Sequence, residues 1–117
     1  MWLMENGLKV YLCLGYTDMR KSVNGLSVFV SEVLECDPFS GHLFVFSNRR
    51  RKILKTLYWD RNGFSLWYKR LEKDRFRWPM NEGDVLEIGF REFRWLLDGL
   101  GIDQVGAYGR LEYGEIY

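Results

Sequence analysis

Eleven lysines and arginines crowd the stretch from Arg49 to Arg77, against three acids, Asp60, Glu72 and Asp74. That stretch therefore carries +8, while the rest of the chain, with six bases and thirteen acids, carries −7. The chemistry open to such a run is ionic. Cations held side by side neutralise phosphates and release their counterions, which gives affinity without reading a sequence. A charge excess confined to one segment of a near-neutral chain points either to an anionic partner or to a solvated face. Four of the cations are consecutive, Arg49, Arg50, Arg51 and Lys52, and two more, Arg75 and Arg77, alternate with Phe76 and Trp78.

Flat rings lie among these charges. Asn62-Gly63 predicts a two-residue hairpin turn, because both residues tolerate positive φ. That turn places Trp59 opposite Leu66 and Leu57 opposite Tyr68 on an apolar, core-facing side. The other side pairs Asp60 with Ser65, Tyr58 with Trp67, and Thr56 with Lys69. Tyr58 and Trp67 are then either an ordinary cross-strand pair covered by a helix or a platform on which bases stack. A basic two-stranded ribbon also fits the major groove of a duplex. The candidate nucleic-acid contacts are Arg49, Arg50, Arg51, Lys52, Tyr58, Trp67, Lys69, Arg75 and Arg77.

Other chemistries lack their residues. His42 is the single histidine, and no Cys, Asp or Glu accompanies it at ligand spacing. Ser40 is its one nucleophilic neighbour, and the turn at Pro38 accounts for that serine. Gly99 and Gly101 form a helix stop, not a phosphate loop. The aspartates are scattered and fit caps, turns or surface. The expectation is a protein that is not an enzyme and uses no cofactor and no metal. Cys13 and Cys36 form no CxxC and suit free thiols in a reducing compartment. The start of the chain lacks the basic-then-apolar pattern of a signal peptide, and no apolar run reaches the roughly 18 residues of a membrane span. A cytoplasmic protein with no membrane partner is expected.

These residues need a scaffold. With 117 residues the chain is read as one domain, 1–117, and 17% aromatic content argues against wholesale disorder. Leu8 to Leu14 alternates as a strand. Thr17 or Asp18 caps a helix from Asp18 to about Glu35, with Met19, Val23, Leu26, Val30 and Val33 as its apolar stripe. Gly25 is a weak point where the helix either packs closely or breaks. Strands follow at Leu43 to Ser47, Ile53 to Asp60 and Phe64 to Arg70, joined by the charged loop Asn48 to Arg51 and the hairpin turn. Phe76 to Trp78 begins a fourth strand of this meander, Asp84 to Ile88 forms another, and Arg91 to Asp98 is helical with Gly99 as its stop. The fold class expected is α+β: an antiparallel β-meander of about four to six strands with one N-terminal and one short C-terminal helix. The tail 103–117 has no assigned place.

Read in order, several blocks resemble one family. They are Thr17-Asp18-Met19-Arg20-Lys21-Ser22 with Gly25-Leu26, Asp37-Pro38-Phe39-Ser40-Gly41 through Phe46, and Asn48-Arg49-Arg50-Arg51. Lys55 to Asp60, Gly63-Phe64, Leu66 to Glu72, Phe76 to Pro79 and Leu96-Leu97-Asp98-Gly99 follow. Over roughly 16–102 the chain resembles the TnpB accessory proteins, encoded by the second open reading frame of insertion-sequence-66 type transposable elements. The resemblance implies a helper of DNA transposition that works beside a separate transposase, and it brings no catalytic residue with it. Two departures stand out: Gly89-Phe90-Arg91 replaces the usual polar helix start, and the tail after Ile102 matches no motif.

Two functions follow as expectations. One is an accessory factor that binds DNA, at the element ends, through the basic aromatic ribbon. The other is an adaptor that binds the element's transposase, a sister accessory protein or a host replication factor without touching DNA.

Overall fold

The computed structural model describes residues 7–102, and the tail considered above lies outside them. Its elements are β1 (Val10–Cys13), α1 (Val23–Glu32), β2 (Leu43–Ser47), β3 (Ile53–Asp60), β4 (Gly63–Arg70), β5 (Val85–Ile88) and α2 (Phe90–Leu97). The five strands make one sheet in the order β4-β3-β2-β1-β5.

The fold is α+β, but the sheet is not an antiparallel meander. β1 and β2 run parallel, with Val10 opposite Leu43 and Leu12 opposite Val45, and the remaining neighbours are antiparallel. The reason is the helix between them. Parallel neighbours need a crossover of a dozen or more residues, and the segment carrying α1 supplies it. β1 is thereby inserted between β2 and β5, with both its faces covered.

Each face of the sheet has its own core. On one side Leu26 and Val30 of α1, with Leu34 just past its end, lie over Cys13, Phe44, Phe46 and Leu57. On the other, Phe93 and Leu96 of α2, with Phe76 and Trp78, cover Val10, Leu12, Leu43, Val45, Leu54 and Tyr58. Burying each large aliphatic side chain contributes about 1.5–3 kcal/mol. β2, central and covered on both sides, is accordingly buried at every position.

α1 is shorter than its stripe predicts. Asp18 turns back on the chain instead of capping a helix: its carboxylate accepts from the Arg20 backbone N–H at 2.9 Å and from the Arg20 guanidinium. Thr17 is held by its N–H on the Ser47 carbonyl (2.8 Å), so the helix begins only after Ser22. Gly25 does not break it. Leu34 takes the inward place expected of Val33, which is exposed. At α2 the missing polar cap is replaced from within the helix, where the Glu92 carboxylate accepts from the Gly89 N–H at 3.1 Å. Gly99 ends α2 at φ +84, a left-handed stop that glycine adopts without strain.

Two further expectations change. The hairpin turns on Arg61-Asn62, with Arg61 at φ 58, and Gly63 pairs with Asp60 inside the ladder. Tyr58 therefore lies opposite Ser65, and Thr56 opposite Trp67. The slip is two residues, so every side chain keeps its face. Phe76 to Trp78 is not a strand. It is an irregular segment laid across the sheet, tied by the Phe76 N–H to the Arg51 carbonyl at 2.7 Å.

Candidate nucleic-acid interface

Because β1 and β2 are parallel, their carboxyl ends leave the sheet at the same edge, where β3 begins and β4 ends. Three connections meet there: 14–22, 48–52 and 71–84. The middle one is a tight, self-bonded loop. The Asn48 Oδ1 accepts from the N–H groups of Lys52 (2.9 Å) and Ile53 (3.0 Å), and the Arg51 N–H returns to the Asn48 carbonyl (3.0 Å). Held this way, the loop turns Arg49 and Arg50 to solvent and Arg51 inward.

The segment after β4 is fastened to that loop. The Leu71 N–H donates to the Lys52 carbonyl at 2.9 Å, and the Phe76 N–H to Arg51. Phe76 and Trp78 point into the core, and the Trp78 Nε1–H donates to the Cys13 carbonyl at 2.9 Å. Alternation then exposes Arg75 and Arg77, as the sequence predicts. Between the loop, this segment and the end of α2 lies a cleft of about 560 Å³, lined by Lys52, Leu71, Lys73, Asp74, Arg75, Arg77, Asp98 and Gly99. Four cations face two carboxylates across it.

The eleven bases of the segment divide by what they touch. Arg51, Lys55 and Lys69 are bound to main-chain carbonyls: Arg51 Nη2 to Leu14 (3.0 Å), Lys55 Nζ to Met19 and Lys21 (2.7 and 3.0 Å), Lys69 Nζ to Leu97 (2.8 Å). Lys69 thus closes the carbonyl end of α2, where a cation is favoured. Arg61 lies near Asp60, and Arg70 pairs with Glu72. The other six, Arg49, Arg50, Lys52, Lys73, Arg75 and Arg77, have no carboxylate partner among the described residues, and all lie at this one edge. Arg51 is a structural latch as well as a cation. Its guanidinium stacks 5.2 Å from the Trp78 ring centre, Nη1 is buried with no partner among the described residues, and burial pulls its pKa below the ordinary arginine value.

Of the two candidate stacking rings, Tyr58 is 6% exposed and Trp67 half-buried, both packed on the α2-side core. In this arrangement the face they share is covered by Phe76, Trp78 and α2, which leaves Tyr58 no surface for a base. An open ring does lie at the basic edge, one that residue type and spacing do not single out. Tyr16 is 62% exposed, and the Arg49 guanidinium lies 5.6 Å from its ring centre. Its signal was position: it immediately precedes the Thr17-to-Ser22 motif. Beside it, the Arg20 guanidinium holds the Asp18 carboxyl down at about 2.

His42 serves the scaffold, its Nδ1 accepting from the Lys9 N–H at 3.1 Å. Among the described residues no group of three or more His, Cys, Asp or Glu is placed to hold a metal ion, and no helix is long and apolar enough to cross a membrane.

The model of a family described as IS66 Orf2 like protein matches residues 8–107. Two relatives from Sinorhizobium fredii (strain NBRC 101917 / NGR234) are similar across most of both chains. The uncharacterized protein y4hO is 39% identical over 93 residues, 80% of this chain and 81% of that protein. The uncharacterized protein y4jC is 35% identical over 96 residues, 82% of each. No solved structure matches significantly.

Proposed function

Since the chain belongs to the IS66 Orf2-like family, which supports an accessory role in transposition, we propose that it performs that role by binding nucleic acid at its basic edge. One observation carries the reading: six cations with no carboxylate partner among the described residues converge at one end of the sheet, four of them lining a cleft, beside an exposed tyrosine. Concentrating like charge has a cost in self-repulsion that an anionic partner offsets. The ligand expected is the DNA of the element ends, held through its phosphates. Tyr16 is the group suited to stack on an unpaired base.

Six phosphate contacts on duplex DNA give a log–log salt slope of about −5, so affinity falls roughly a thousandfold for a fourfold rise in salt. The test is a titration of the element's terminal repeats, duplex and single-stranded, at several salt concentrations. Reversing Arg49 and Arg50 to Glu is expected to weaken binding and flatten the slope by about 2. No binding at low salt refutes the reading.

A second reading has its own observation. At the opposite end of the sheet Phe39, 58% exposed, meets Trp59 and Phe64 at ring distances of 5.1 and 5.3 Å, beside the exposed Val28. An apolar patch of this kind suits a protein partner, such as the transposase or a sister accessory protein. Co-purification with the transposase without DNA, lost on Phe39→Ala while DNA binding persists, supports an adaptor.

A further inference from the structure

The two edges of the sheet are not alike. β5 is four residues long and leads at once into α2. β4 is eight residues long, contains no proline, and pairs with β3 without a bulge from Arg70 opposite Ile53 to Gly63 opposite Asp60. Shortness, proline, bulges and projecting lysines are what keep a sheet edge from pairing with another chain. β5 has the first of these. β4 lacks shortness, proline and a bulge, and its two cations have partners within the chain: Lys69 is drawn over the sheet to the Leu97 carbonyl, and Arg70 is turned to Glu72.

The main-chain groups on that edge can be assigned. The Leu71 N–H donates to Lys52, the next step of the same ladder. Alternation along an antiparallel pair then aims Lys69, Trp67 and Ser65 at β3, and turns the N–H and C=O groups of Phe64, Leu66, Tyr68 and Arg70 outward. Among the described residues no strand pairs with them. On the α1 side of the same edge Tyr68 is 51% exposed.

We propose that β4 pairs antiparallel with β4 of a second copy of this chain, joining the two sheets about a two-fold axis at Trp67. This inference does not depend on nucleic-acid binding. Self-pairing is favoured over another occupant because the strand is complementary to itself. One register engages all four outward residues of both copies, Phe64 with Arg70 and Leu66 with Tyr68, forming about eight main-chain hydrogen bonds. In that register no two like charges face each other. Lys69 lies opposite Ser65, Arg70 opposite Phe64, and the half-buried Trp67 meets its mate across the axis as an aromatic pair. The two basic edges then point in opposite directions, leaving both open.

The full chain, free of nucleic acid, is to be followed by sedimentation and by amide exchange over a concentration series. A dimer is expected, with protection of the Phe64, Leu66, Tyr68 and Arg70 amides that rises with concentration. Tyr68→Pro removes an outward N–H and no intrachain ladder bond, and is expected to yield monomer. The Ser65 position tests the register without touching the core of the fold. Ser65→Lys sets like charges opposite Lys69 and weakens association by about fivefold, while Ser65→Glu tightens it by a similar factor. A monomer at every concentration overturns the proposal. So does a dimer indifferent to both Ser65 variants, and so does edge protection independent of concentration, which would place a segment of the same chain on β4.

Discussion

Replacing Arg51 with alanine separates holding the fold from binding, because the structure gives this arginine a structural role within a run of cations. Three contributions decide the size of the effect. Its charged hydrogen bond to the buried Leu14 carbonyl, 3.0 Å long, is worth about 1.5–3 kcal/mol, and losing it leaves that carbonyl without its partner. Its place over the Trp78 ring adds about 0.5–1 kcal/mol at this partly exposed site. Against these stands Nη1, buried without a partner among the described residues, whose removal returns about 1–2 kcal/mol. The positive φ of 59 at this position stays unfavourable for alanine and drops out of the comparison.

The balance is a destabilisation of about 0–3 kcal/mol for Arg51→Ala, centred near 1.5 kcal/mol. Urea unfolding followed by tryptophan fluorescence is the direct assay, and for a chain of this size 2 kcal/mol lowers the midpoint by about 1 M. Arg49→Ala, which removes an exposed side chain, is expected to leave the midpoint within about 0.5 kcal/mol of the parent. Under conditions where both variants are folded, binding to the terminal repeats should weaken for Arg49→Ala and hold for Arg51→Ala. An unchanged urea midpoint for Arg51→Ala, together with lost binding, would refute the assignment of Arg51 as a latch.

Two other perturbations test local features. Asp18 has its folded pKa lowered from 3.8 to about 2, first by the Arg20 side-chain hydrogen bond and then by the Arg20 N–H. A depressed carboxylate stabilises the fold above its unfolded value and loses that contribution as pH falls from about 4 toward 2. The Asp18 carboxyl should titrate near the lower value by NMR and move up toward 3.8 in Arg20→Ala. Gly25→Ala should stabilise the protein by about 0.5–1 kcal/mol in the same urea assay, through helix propensity. The added Cβ meets only the flexible Lys21 side chain at 3.4 Å, so a destabilisation would mean that α1 needs the glycine for packing.

How far the sequence carried depended on whether a feature was local. α2 was legible almost to the residue, since Phe93 and Leu96 mark its inner face and Gly99 its stop. β2 and β3 were legible from their apolar runs. The parallel pairing of β1 was not, because strand order is fixed by contacts between distant segments. The hint was that apolar residues occupy both faces of β1, Val10 and Leu12 on one side and Tyr11 and Cys13 on the other, as in a strand covered on both sides. At the hairpin, Asn62-Gly63 was the stronger local signal, but the observed ladder stacks Leu57 on Leu66 and Trp59 on Phe64. Packing won, with Arg61 taking the positive φ. The basic loop was visible as charge. The covering of Tyr58 was one of the two alternatives its position allowed, and the inward turn of Arg51 was not visible, because it depends on Phe76 and Trp78 returning across the sheet.

That returning segment joins the fold to the proposed activity. If the basic residues sat on a free loop, ordering them on a ligand would cost backbone entropy of about 1–2 kcal/mol per residue. Here the cost is met in folding. Arg49 and Arg50 ride on a loop closed by Asn48, and Arg75 and Arg77 flank a phenylalanine buried to 1%. The cations are thus held in place before any partner arrives, by apolar contacts and main-chain bonds that do not involve their own charged groups. It follows that Phe76 and Trp78, which touch no ligand in this reading, should govern affinity as strongly as Arg75 and Arg77, which alternate with them. Phe76→Ala, in whatever fraction remains folded, would release the segment and lower the affinity while leaving the number of cations unchanged.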